Sequence, residues 1–114
     1  MGNIMLHMEG NMRQWVLGGV GNREVERNRA SEFAADGGSD SQELLSRLDE
    51  VAREADRVLA DVPESTLLER IDVQGFEVSR LQAAYHAIEH FGYHLAQVVY
   101  ITKLRTGKDL AIFP

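Results

Sequence analysis

Cysteine is absent from the 114 residues. That excludes disulfides, thiolate nucleophiles and cysteine-ligated zinc or iron–sulfur centres within the chain. Any metal held here must use His, Asp, Glu or water. Proline is scarce, with only Pro63 and Pro114, so long stretches run free of an enforced helix break. No apolar run reaches the roughly 18 residues of a membrane span, and no membrane partner is expected. Basic residues are in the minority, 12 against 18 acidic, for a net charge of −6. Phosphate-backbone affinity comes mostly from Lys and Arg, so nucleic acid is not expected as a partner either. No secretory leader is expected either: Met1–Gly2–Asn3 leads straight into Ile4–Met5–Leu6–His7 with no basic n-region, and a cytoplasmic location is the expectation. What is present suits one small domain over residues 1–114 with a usable core.

Three segments read as long helices. Ile4, Met8, Asn11 or Met12, and Trp15 recur at steps of three and four over about residues 3–17, and Gly18–Gly19 is expected to stop them. The second runs over about 41–61. Asp40 is its cap, Glu43 stands at the capping-box position, and Leu44, Leu45, Leu48, Val51, Ala52, Ala55 and Val58 or Leu59 form its stripe. Asp61–Val62–Pro63 ends it. The third, about 79–105, follows the candidate cap Ser79, has one internal glycine, Gly92, and ends at Thr106–Gly107. Leu81, Tyr85, Ile88, Leu95, Val98, Val99 and Ile101 supply its apolar faces. The stretch between Val20 and Asp40 has poor periodicity. It reads as a long, mostly irregular, solvated mixed-charge connection with one helical turn near Ser31–Ala35. Ile71–Asp72–Val73 alternates and suggests an extended piece, short of a full sheet. The tail Leu110–Ala111–Ile112–Phe113 is expected to pack back onto the helices.

The four histidines are not scattered. His86, His90 and His94 share one helix at spacing four and four, and His7 lies in the first helix. Side chains four apart on a helix stack one above the other, which lets two imidazoles meet one ion. His86 and His94 are about 12 Å apart along the axis, so only one adjacent pair chelates and a third ligand comes from elsewhere. His7 qualifies, on the face marked by Ile4, Met8, Asn11 and Trp15. Spacing does not choose between His86/His90 and His90/His94.

Two motifs carry a resemblance. His7–Met8–Glu9–Gly10–Asn11–Met12–Arg13–Gln14–Trp15–Val16, followed by Gly18–Gly19–Val20–Gly21, resembles the first-histidine helix of the DinB/YfiT-like superfamily. His90–Phe91–Gly92–Tyr93–His94–Leu95–Ala96–Gln97 resembles its second signature, H-x-x-x-H with a Gln three residues on. Many members carry Arg and Gly where this chain has Leu95 and Ala96. The resemblance implies an all-α, four-helix bundle with nickel or zinc on His7, His90 and His94, and His86 beside the site. Such a set leaves coordination positions open, as catalytic metals do.

Other residues near these motifs admit two readings each. Asn11 and Gln97 are candidates to hydrogen-bond a ligand imidazole or a metal-bound water, or polar residues closing the bundle end. Glu89 can serve as a general base only if the helix is turned favourably. Trp15, Tyr85 and Tyr93 read as core, with Tyr93 an alternative pocket wall. Arg13 and Arg23 read as surface cations or anchors for an anionic group.

The family bundle has one helix before the first-histidine helix, and this sequence contains only three long helices. Either the chain start lies downstream of the true one, or a partner fills the gap. A homodimer through the first or last helix is expected, because monomers rarely leave a large apolar groove open. Two functions compete. One is a metal-dependent enzyme, by resemblance a thiol-dependent S-transferase or isomerase using a low-molecular-weight thiol such as bacillithiol, mycothiol or glutathione. The other is a non-catalytic bundle, an interaction or metal-binding module.

Overall fold

The computed structural model describes residues 1–38 and 40–112. Helix α1 spans Gly2–Met12 and continues without a break into a π-helical segment, Arg13–Val20. A short helix, α2, covers Arg29–Ala34; α3 covers Ser41–Asp61; α4 covers Arg80–Thr106. Between α3 and α4 lie a 3₁₀ turn at Glu64–Thr66 and an antiparallel hairpin, β1 Arg70–Val73 with β2 Phe76–Ser79. The described chain is predominantly helical, and none of its helices is long and apolar enough to cross a membrane.

The first helix is the middle element. It packs against α3 and α4 and also touches α2, while its π segment meets β1. The core is built around that segment. Trp15, Val16, Leu17 and Val20 pack with Val51, Ala55 and Val58 of α3, Val73 of β1, and Ala83, Ala84 and Ala87 of α4.

Gly18–Gly19 does not stop the helix. The chain passes through both glycines in a widened turn and closes with Gly21 N–H bonded to Val16 O at 2.8 Å, an i→i−5 bond. The glycine at 19 serves packing, since a Cβ there would sit 2.9 Å from Val73 Cγ2. Absence of a side chain was legible in the sequence; its reason, a hairpin pressed against the helix, was not.

The caps of the longer helices follow their signals. Asp40 accepts Gln42 N–H at 3.2 Å, while Glu43, expected at the capping-box position, makes no reciprocal bond among the described residues. Ser79 and Gln82 exchange bonds of 3.0 and 2.8 Å as a capping box. Gly107 closes α4 at φ +63°, in the left-handed region open to glycine. The extended piece foreseen at 71–73 is one arm of the hairpin, whose turn places Gln74 and Gly75 at φ +55° and +81°. That is the pairing of positive φ values a two-residue hairpin requires.

Two expectations about packing are corrected. Helix α4 turns small residues, not large ones, toward the core: Ala83, Ala84 and Ala87 are buried, whereas Leu81, Tyr85 and Ile88 are exposed. Close approach of α4 to the bulky π segment accounts for this, because Trp15 and Val16 fill the volume that large α4 side chains would need. The tail does not pack back. Ala111 and Ile112 are exposed, and Phe113 lies outside the described residues.

Candidate metal centre

The stripe of α4 that packs as alanine at 83 and 87 continues, at helical spacing, into His90 and His94. Opposite it, α1 presents His7, which is buried. The three imidazoles converge. His7 Nε2 is 3.0 Å from His90 Nε2, and His94 Nε2 is 3.2 Å from the same atom. All three donor atoms lie within 4.8 Å of one another, a group that can hold a metal ion. Nitrogens about 2.0–2.1 Å from one ion stand roughly 2.9–3.4 Å apart, depending on the coordination angle.

The outward nitrogens decide what the inward ones carry. His94 Nδ1 is 2.7 Å from Gln97 Oε1, an acceptor, so Nδ1 holds the proton and Nε2 a lone pair. His7 Nδ1 is 3.1 Å from Glu32 Oε1. Arg27 Nη2 also approaches Nδ1, at 3.2 Å, but its shorter contact is with Oε1 at 2.7 Å. The imidazole proton therefore faces the carboxylate, and His7 Nε2 carries a lone pair as well. Lone pairs gathered on one point suit a cation, so the donor set fits a metal ion.

Burial favours the neutral form of His90 and His7. His90 is pushed down to about 4, first by burial and then by the charges of His94, His7, His86 and Arg27. His7 is lowered too, again chiefly by burial, with the Glu32 hydrogen bond opposing the shift. A lowered folded-state pKa means the unfolded chain binds more protons below the ordinary value of 6.5. The metal-free protein should hold its full stability above that pH and lose part of it as pH falls toward about 4. Urea midpoints measured between pH 7 and pH 5, with and without His90→Ala, check this. A midpoint whose pH dependence survives the substitution unchanged contradicts it.

The remaining residues singled out from the sequence separate clearly. His86 stands outside the triad, its ring 4.0 Å from that of Trp15 and 5.6 Å from that of His90. Gln97 contacts His94 as described. Asn11 is buried one turn beyond His7, but it bonds none of the imidazoles, and its Oδ1 has no partner. Tyr93 is exposed and meets His94 edge-on at 5.2 Å. Glu89 is exposed beside Tyr85 and His86 and makes no hydrogen bond to the triad among the described residues. Arg13 and Arg23 are committed to carboxylates: Arg13 to Glu9 at 3.1 Å and Glu54 at 3.8 Å, Arg23 to Glu54 at 3.6 Å.

Glu32 and Arg27 were missed. Both fall in the connection read as solvated and mixed in charge, yet their side chains are 9% and 6% exposed. The usable signal was Asn28, which caps α2 by accepting Ser31 N–H at 3.0 Å and so starts a helix that turns Glu32 inward.

Residues 1–113 match a family model described as "Protein of unknown function (DUF1572)". Comparison with curated proteins and with solved structures gives no match.

Proposed function

We propose, for a chain that belongs to the DUF1572 family, a DinB-like bundle holding a divalent transition metal, nickel or zinc, on His7, His90 and His94. We further propose that the centre is catalytic. The observation that supports the reading is the convergence of three imidazole nitrogens, two of them fixed as lone-pair donors by Gln97 and Glu32. Three protein ligands, with His90 and His94 only half-buried, suit an open coordination set of the catalytic kind. Such an ion, when bound, supplies Lewis acidity and lowers the pKa of a coordinated water or thiol.

The chain's own residues supply the surroundings. His86 packs against Trp15, its ring tilted by 37°, and lies beside His90. Tyr93 stands on the other side of His94. Asn11 Oδ1, buried and unpartnered, offers an acceptor for a water or hydroxyl held near His7. With no cysteine in the sequence, a thiol reactant would arrive as a low-molecular-weight co-substrate, and thiol-dependent S-transfer is the reaction class we favour. The first test is elemental analysis of protein purified without a chelating column. About one equivalent of bound transition metal is expected; a content below a tenth of an equivalent, with no uptake of added zinc or nickel, ends the reading.

A second reading, an interaction module, rests on a different observation. Leu81, Tyr85, Ile88 and Leu95 follow one stripe of α4 at helical spacing and are 47–69% exposed. Gly92 lies on the same stripe with open space around it. We propose that a second copy of the chain covers this face, giving a homodimer. Sedimentation at micromolar concentration should return a dimer, and Ile88→Lys a monomer. A monomer without the substitution refutes it.

A further inference from the structure

Outside the triad, the most unusual feature is a buried charge cluster on the far side of His7. The Arg27 guanidinium grips Glu32 with two bonds, Nε to Oε2 at 2.8 Å and Nη2 to Oε1 at 2.7 Å. Its Nη1 donates to Gln14 Oε1 at 2.8 Å. Glu32 is thereby held rigidly between a cation and the His7 Nδ1–H. Phe33, the next residue, packs its ring 5.0 Å from that of His7.

Room for the carboxylate comes from α1. A Cβ at Gly10 would collide with Glu32 Oε2 and lie 2.8 Å from Arg27 Nε. Gly10 carries no positive φ, so backbone conformation does not ask for glycine there. Glycine in a helix interior costs about 1 kcal/mol against alanine, and the close approach of Glu32 explains its presence.

We infer that Glu32 is the positioning residue of the metal site. Clamped by Arg27 and admitted by Gly10, it fixes the Nδ1–H tautomer and the ring orientation of His7. The inference rests on the metal reading above for its purpose, but its structural content does not depend on that reading. A carboxylate behind a ligand histidine raises the basicity of the donor nitrogen and removes the cost of choosing a tautomer on binding. The connection between the first helix and α3 thus belongs to the site, although none of its described residues hydrogen-bonds an Nε2 atom of the triad.

The test has two readouts. Nitrogen-15 NMR of the metal-free protein reports the His7 tautomer, and competition titration with zinc reports affinity. Glu32→Leu alone would strand Arg27, so the informative variant is Arg27→Met with Glu32→Leu, which removes the charge pair together. His7 should then lose its Nδ1–H preference, and zinc affinity should fall by about 10- to 100-fold. Gly10→Ala, which favours the helix but displaces the carboxylate, should move both readouts the same way. Glu32→Gln, keeping an acceptor oxygen, should retain the tautomer and lose less affinity. A folded double variant with the original tautomer and affinity overturns the inference. If no form of the protein takes up zinc, the metal reading fails, and the tautomer result alone still decides the role of Glu32.

Discussion

Replacing His94 by alanine is expected to lower zinc or nickel affinity by more than about 100-fold, since loss of a supporting residue already costs 10- to 100-fold. The His94 ring contributes one of the three converging nitrogens, 3.2 Å from His90 Nε2, and its Nδ1 is already satisfied by Gln97. No other described imidazole can replace it: His86 is turned onto Trp15. His86→Ala should therefore change affinity little, and the contrast between the two variants is the useful quantity. A larger loss from His86→Ala than from His94→Ala would mean that the ion sits between His86 and His90 instead. Both variants keep the fold, because neither side chain belongs to the buried core.

Arg27→Met should be the most destabilising single substitution at the site. It leaves the Glu32 carboxylate buried without its partner, a situation that costs about 3–5 kcal/mol. For a domain of this size, that is a fall in Tm of more than about 10 °C. Adding Glu32→Leu should recover most of the loss, because a buried ion pair removed whole can be nearly neutral once apolar side chains fill its volume. Thermal unfolding of the two single variants and the double variant decides the matter. Losses that simply add would show that the two side chains do not interact. The same pair supports His7, so the double variant should be stable yet weak in metal binding, separating stability from function at one location.

The histidine geometry was partly legible in the sequence. Spacing alone restricted the α4 ligands to an adjacent pair and offered His7 as the third donor, and family resemblance preferred His90 and His94. Three-dimensional packing adds the reason. The α4 stripe that packs as alanine against Trp15 and Val16 reaches α1 one turn later, so His90 and His94 face His7 while His86 remains beside the tryptophan. Asn11 shows the opposite outcome: spacing offered a hydrogen bond to a ligand ring, and the structure leaves its amide oxygen unpartnered. The apolar letters of α4 misled for a related reason. Composition says that Leu81, Tyr85 and Ile88 seek burial; it does not say against which partner.

By itself the sequence determined α3 and α4 with their caps, the absence of a thiol belonging to the chain itself, and the histidines as the natural donors. Those properties depend on residues close together in the chain, where hydrogen-bonding and rotamer preferences act over one or two turns. Tertiary structure decided what distant residues do to one another. It carried the first helix through Gly18 and Gly19 and placed the hairpin against Gly19. It also drew Arg27 and Glu32 from an apparently solvated connection into a buried clamp on His7. A charge in an irregular segment gives no local sign of burial, because the compensating charge and the space cut for it belong to other parts of the fold.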